Sequence, residues 1–338
     1  MFDIITIGGA TRDMTFFTDK GKMIETPEDL ISQRLLAFEF GAKIRSEDVG
    51  MNFGGGACNA AATFAKMGLS VSVVSRVGGD GNGKSILENI KRGNINTDFV
   101  QVDDDKNTAF SFIVVDSAGG SGERIVFSHR GASEKLEIRP SEIESAKWLY
   151  LTGLGENWKD NLEKIVETVG KTGIKLAWNP GVVEIASGKE NLARFLKYTN
   201  ILIINKDEAI ELVKSDSASS LSGEDFNDIV KLIKALREWG VENVVITDGE
   251  NGAYLFAGGE ILKSAAFVKA QSDTTGAGDA FGSGLMAGYF LTSDWNTAFK
   301  YAVLNSGGEV SECGAQSGIM TREEIENNLD KIVIKKVE

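Results

Sequence analysis

The sequence predicts an α/β protein: a mostly parallel sheet covered by helices on both faces. Short apolar runs recur along the chain, most are followed by a stretch of helical period, and only two regions break the alternation. The runs are continuous rather than alternating, which is the mark of a strand with no wet face.

In chain order the strand candidates are residues 4–7, 71–74, 148–151, 174–178, 201–204 and 244–247. Helices are expected over 59–67, 85–91, 158–169, 192–198 and 206–213. Phe226, Ile229, Val230, Ile233 and Leu236 mark another by their three/four spacing, with Ser222 and Asp225 as a capping box. The first strand enters Gly8-Gly9 without the basic and apolar regions of a signal peptide. No window approaches the ~20 apolar residues of a membrane span.

The two exceptions are residues 11–45 and 107–130. The first holds Phe16-Phe17, a Lys20-Gly21-Lys22 turn and a β-like run over 35–44. The second reads as a strand over 110–115, a turn over 117–122 and a strand over 124–127. Both alternate with period two. They predict a small sheet standing off a single domain of residues 1–338, placed to act as a lid. A small sheet alone is marginal in water, so packing of two copies in a homodimer is expected.

A net charge of −13 argues against nucleic acid and anionic membranes as partners, since both call for a basic footprint. Cys58 and Cys313 are too few and too far apart for a disulfide framework, so a reducing cytoplasm is expected. His129 is the single histidine, which excludes a multi-histidine metal site; it reads as a solvated strand residue.

The chemistry concentrates in Asp273-Thr274-Thr275-Gly276-Ala277-Gly278-Asp279, followed by a helical run through Leu285 and Tyr289. Small residues let backbone N–H groups converge, and a helix start adds its positive dipole end. Asp279 falls in the first turn, where a carboxylate stays ionised and can accept a hydroxyl proton. On spacing alone, the same residues also describe a glycine-eased helix start capped by an acid.

This segment resembles the signature of the ribokinase (PfkB-type) carbohydrate kinases. Three further blocks agree in order: Gly54-Gly55-Gly56-Ala57-Cys58-Asn59 with the later Val77-Gly78-Gly79-Asp80, Asn205-Lys206-Asp207-Glu208, and Thr247-Asp248-Gly249. The resemblance implies a three-layer ribokinase-like fold and transfer of the γ-phosphoryl of ATP to a hydroxymethyl group. It implies Asp279 as base and the amides of Gly276, Ala277 and Gly278 as anion hole. Asp13, Gly55 and Asn59 would bind substrate; Asn205, Thr247, Gly249 and Asn305 would bind nucleotide. Glu208 would hold Mg²⁺ through water. A monovalent cation, K⁺, would sit by Asp273, Thr275, Glu309, Glu312, Gly314 and Gly318.

Two rivals were weighed against this reading. Gly78-Gly79-Asp80-Gly81-Asn82-Gly83-Lys84-Ser85 matches the P-loop pattern letter for letter, with Lys84 on the phosphates. A non-catalytic sugar- or nucleotide-binding protein of the same fold would need the base or anion hole to be missing. The lysine that ribokinases carry in the glycine block is Gly56 here, so a nucleoside resting on Phe110 or Phe112 stands beside an uncharged sugar as substrate.

Overall fold

Ile4, Ile5 and Ile7 are buried on both sides of the first strand, as its continuous apolar run requires. The computed structural model describes residues 1–25, 34–117, 124–267 and 274–337. In chain order the strands are β1 (Phe2–Ile7), β2 (Thr11–Thr18), β3 (Lys22–Glu25), β4 (Arg34–Ala37), β5 (Asp48–Gly54), β6 (Val71–Gly78), β7 (Val100–Asp103) and β8 (Ala109–Asp116). They continue with β9 (Arg124–His129), β10 (Ala146–Leu151), β11 (Lys175–Trp178), β12 (Ile201–Asn205), β13 (Asn243–Thr247), β14 (Ala253–Ala257), β15 (Glu260–Ser264) and β16 (Ile334–Val337).

Ten strands form the main sheet, in the order β16-β15-β14-β13-β12-β11-β10-β1-β6-β7. It is parallel from β7 to β13 and ends in the antiparallel β14, β15 and β16. The chain leaves β1 toward β6 and returns on β1's other flank as β10. The strand order therefore reverses between β1 and β10, and their carboxyl ends open the crevice where such sheets bind ligands.

Alternate strand residues feed two cores. Ile4, Val73, Tyr150, Ile203 and Val245 meet Phe64, Phe281, Leu285, Phe299 and Tyr301 from the helices Gly56–Lys66, Ala277–Thr292 and Trp295–Glu309. On the other face Ile5, Leu149, Leu202 and Val244 meet Leu162, Ile165, Leu212 and Leu232 from Trp158–Thr172, Lys206–Lys214 and Ile229–Glu238.

A separate four-stranded sheet has the order β5-β2-β8-β9, and β3 pairs only with β4. The run over 35–44 is shorter than its pattern predicts: β4 ends at Ala37, Phe40 is fully exposed, and Gly41 turns the chain at φ 76°. The strand that completes the small sheet, β5, lies beyond residue 45. The expected turn over 117–122 falls almost wholly outside the described residues. Phe226 lies in a 3₁₀ turn that Ser222 caps, and the helix itself starts at Ile229 under Asp228. β14, β15 and β16 carry no signal beyond short half-buried alternation and were not anticipated.

The helix Ala277–Thr292 lies unusually close to its neighbours. A Cβ on Gly282 would stand 2.3 Å from Tyr150 Oη, and one on Gly288 would stand 2.8 Å from the Ala298 Cα. Gly288→Ala should therefore destabilise the protein by about 1–3 kcal/mol through overpacking, despite alanine's better helix propensity. Urea unfolding checks this, and unchanged or increased stability would contradict the close approach.

Candidate active site

Two clefts meet at the first turn of this helix. Gly276 turns the chain at φ 81°, and a Cβ there would lie 2.7 Å from the Ala315 side chain. Glycine is therefore required twice over, by conformation and by contact. The chain then enters the helix, where the Ala277 N–H reaches back to the Thr274 carbonyl at 3.3 Å. Ala277 and Gly278 line one cleft and Asp279 the other.

The first cleft, of about 350 Å³, is lined by Asn205, Thr247 and Gly249, with Ala253, Phe267, Phe281 and Val303 as an apolar wall. The second, of about 450 Å³, opens at the carboxyl ends of β1 and β10, with Gly9, Thr152 and Gly153 on its floor. Its walls are polar: Thr11, Ser128, Asn179, Glu134, Glu208 and Asp279, joined by His129 and Arg130. Thus the expected nucleotide residues and the expected base stand on opposite sides of one helix terminus.

Asp279 is half-buried. Burial raises its carboxyl above the ordinary carboxylate value, and a hydrogen bond from Asn59 works against that. The helix start therefore does not keep its affinity for protons low, as position alone would predict. Asn59 donates from Nδ2 to Asp279 Oδ2 at 2.8 Å, so this expected substrate ligand bears directly on the base. Gln316, which no sequence pattern marks, donates to Asn59 Oδ1 at 2.9 Å. The Tyr150 hydroxyl is buried beneath the same helix and has no hydrogen-bond partner among the described residues; its pKa is well raised by burial and then by Asp279.

Asn205 and Glu208 form a reciprocal capping box, each side chain accepting from the other's backbone N–H at 2.8 Å. Asn205 faces the first cleft and Glu208 the second. Burial raises the Glu208 carboxyl, and the nearby charges of Glu211, Asp207 and Asp279 add to this. Asp13 is 7% exposed, and its Oδ2 would lie 2.1 Å from a Cβ on Gly54, beside the cleft-lining Gly55. Gly55 itself turns at φ 90° against the Gly9 carbonyl.

Not every expected residue reaches the site. Asn305 is fully buried, donating to the Ala280 carbonyl and accepting from Met320 N–H; its neighbours Ser306 and Gly307 line the cleft instead. It fastens two helices together and does not line the cleft. Among the expected cation residues, Asp273 lies outside the described residues and Glu312 is exposed. Thr275 and Gly318 are half-buried, while Glu309 is fully buried where its helix ends. Gly314 turns at φ 96° against Asn52.

The P-loop look-alike is closed from within. Asp80 caps the helix Gly81–Arg92 by accepting from Gly83 N–H, and its other oxygen accepts from Thr108 N–H. A carboxylate thus occupies the place a phosphate would need, and Lys84 is exposed. Phe112 packs on Phe16 and Phe127 at 4.7 and 6.0 Å, on the face of the small sheet opposite Thr11, Ala109 and Ser128. Strand alternation puts Phe110 there too, 5.2 Å from His129, and it is His129 rather than either phenyl ring that lines the second cleft.

The chain is similar to known proteins over most of its length. Residues 25–322 match the pfkB family carbohydrate kinases. A ribokinase of Haemophilus influenzae is 26% identical over 287 residues, 84% of this chain and 89% of its own. A nucleoside kinase of Methanothermobacter thermautotrophicus is 26% identical over 269 residues, 79% of this chain and 81% of its own. The same fold recurs in Arabidopsis thaliana ribokinase complexed with ribose and ATP, at TM-score 0.78 and 19% identity over 97% of this chain and 98% of that one. It recurs equally in Burkholderia thailandensis nucleoside kinase in complex with inosine, at TM-score 0.77 and 19% identity over 97% and 98%.

The raised Asp279 pKa has a consequence for stability. A carboxyl that binds its proton more tightly when folded makes the fold less stable as pH rises from the unfolded value through the folded one. Above that window the charged form carries the full cost. Asp279→Asn should therefore raise Tm at pH 8 and give no gain at pH 4, as read by calorimetry. A lower Tm at pH 8 would contradict the burial.

Proposed function

The chain belongs to the pfkB family of carbohydrate kinases and is a phosphotransferase with an alcohol acceptor; on that premise we propose that Asp279 is its base and that ATP supplies the phosphoryl group. The observation that carries this reading is the single helix start shared by an apolar cleft and a polar cleft, with Asp279 on the polar side. An acceptor hydroxyl in the polar cleft gives its proton to Asp279 as its oxygen bonds to the γ-phosphorus. The bond from that phosphorus to the β-bridging oxygen breaks, and ADP leaves through the other cleft. The N–H groups at Gly276, Ala277 and Gly278 would meet the charge that the phosphoryl carries in transit, that of Ala277 leaving the long 3.3 Å bond it makes to the Thr274 carbonyl.

The donor set suits the cations of such chemistry. Glu208 and Asp279 share a cleft, and the Glu208 carboxyl, raised first by burial and then by neighbouring acids, is a site where a hydrated Mg²⁺ would be welcome. When bound with ATP, Mg²⁺ neutralises phosphate charge; Glu208 orients its waters. Glu309 and the turn at Gly314 offer oxygen donors to a monovalent cation such as K⁺, while exposed Glu312 is poorly placed.

We favour an uncharged sugar as the acceptor, with a nucleoside as the alternative. The small-sheet face toward the cleft carries Thr11 and Ser128, with Asp13 and Ser111 next in the same alternation. Hydroxyls and a carboxylate suit a polyol, while Phe110 and Phe112 lie on the sheet's other face, from which His129 reaches the cleft. A Cβ on Gly56 would lie 2.9 Å from the Thr152 side chain, so a lysine at this position would have to displace it. The small sheet serves as the lid. Arg124 at the start of β9 donates to Thr274 Oγ1 at 2.8 Å, tying that sheet to the catalytic turn. Its outer face exposes Val49, Met51 and Phe127, and we propose that a second copy covers it.

Asp279→Asn should lower kcat by ~10²–10⁴ while ATP binding, read by calorimetric titration, persists. More than half the wild-type turnover in that variant would remove Asp279 as the base. Lys84→Ala should leave turnover nearly unchanged, because the side chain stands exposed on a capped helix; a loss of about 10² would restore the P-loop reading. A turnover screen of free sugars and nucleosides with Mg-ATP identifies the acceptor. Turnover confined to nucleosides would overturn the sugar assignment.

A further inference from the structure

Four side chains from four separate elements form one hydrogen-bonded row ending on the base. Asn89, on the helix Gly81–Arg92, donates from Nδ2 to Gln316 Oε1 at 3.2 Å. Gln316, in the loop after Trp295–Glu309, donates to Asn59 Oδ1 at 2.9 Å. Asn59, on Gly56–Lys66, donates to Asp279 Oδ2 at 2.8 Å. Each amide has one accepting oxygen and one donating nitrogen, and here every link runs in the same direction.

The direction is dictated at the inner end. An ionised carboxylate only accepts, so Asn59 must turn its Nδ2 toward Asp279 and its Oδ1 away. That oxygen then needs a donor, and Asn59 is only 4% exposed, so water is a poor substitute. Gln316 is the donor. Were Asn59 turned over, its oxygen would face the carboxylate and its nitrogen would face the Gln316 nitrogen; both contacts repel.

We propose that Gln316 is a positioning residue of the phosphoryl-transfer reaction: acting through Asn59, it holds the Asp279 carboxylate aimed and ionised. Asn59 then serves the base rather than chiefly the acceptor sugar. This inference rests on the assignment of Asp279 as base. Other charged groups bound the same space: Glu208, Glu134, His129 and Arg130 line the cleft, and Tyr150 lies buried beneath the helix. None of them hydrogen-bonds to Gln316 among the described contacts, so substitutions at 316 address the row alone.

The test is the pH dependence of kcat/KM with Mg-ATP and the best acceptor from the screen above. Gln316→Met keeps the length and loses the donor; Gln316→Glu places a second acceptor against Asn59 Oδ1 and favours the turned-over amide. Both should move the acid limb of the profile to higher pH, with about a 10-fold loss at pH 6 and a much smaller loss at pH 8.5, the glutamate variant being the more affected. The calorimetric Kd for ATP should not change. A limb that stays in place, or a loss of equal size at every pH, overturns the proposal. Should both Gln316 variants lose their thermal transition, Asn89→Ala cuts only the outermost link. It should shift the limb the same way by about 2–3-fold at pH 6, and no shift there is equally fatal. Asp279→Asn is assayed alongside. Retained activity in that variant removes the base assignment, whereas an inactive Asp279→Asn with an unshifted Gln316 profile removes only this inference.

Discussion

The close seating of the helix Ala277–Thr292 on the sheet is the constraint from which the catalytic arrangement follows. Gly282 sits where any side chain would strike Tyr150 and Ile203, and Gly284 and Gly288 let the next helix approach equally closely. Asp279 is three residues before Gly282, less than one turn away, so lifting the helix would lift the carboxylate off Asn59. Gly276 meets Ala315 in the same manner, which brings the loop carrying Gln316 alongside the helix start. Interiors at crystal-like density have no slack to absorb such a displacement. The glycines of the motif therefore serve packing as much as anion binding.

Negative charge is the second organising fact. A chain of net charge −13 gathers Asp279, Glu208 and Glu134 around one cleft and buries Glu184 beneath it. Glu134 pairs with Arg130 at 3.6 Å, while the other three meet neutral amides: Asn59 for Asp279, the Asn205 N–H for Glu208 and the Leu154 N–H for Glu184. They fix orientation while leaving the proton affinities raised, the condition in which a carboxylate accepts a proton readily and a cation arriving with its nucleotide is well received.

The small sheet shows how one alternation serves two purposes. Odd-numbered positions of β2 and β8 carry Thr11, Asp13 and Ser111 toward the cleft side, while Phe16 and Phe112 stack on the reverse. A register slip of one residue would exchange the two faces, so the parallel pairing of β2 with β8 fixes both together. The Arg124–Thr274 bond adds a direct tie from this sheet to the turn that precedes Asp279.

The sequence by itself determined the class of fold, because continuous apolar runs and three/four spacing are local and survive without partners; the expected central strands fall on observed ones, overrunning only at Ile174, one residue before β11. It also determined the motif around Gly276 and Asp279, since glycine's conformational reach and a helix start are local properties. It left the antiparallel edge of β14, β15 and β16 unseen, as short half-buried strands are specified by their neighbours rather than by their own pattern. Tertiary structure decided what the polar residues do. Asn305 and Asn59 are both amides that the resemblance assigns to ligands, yet one clamps two helices and the other hydrogen-bonds to Asp279. Gln316 lies 257 residues from Asn59, and no spacing rule reaches that far. Lys84 sits in a letter-perfect phosphate loop that Asp80 has already filled. A hydrogen bond forms within about 3 Å, and only the folded chain decides which groups come that near.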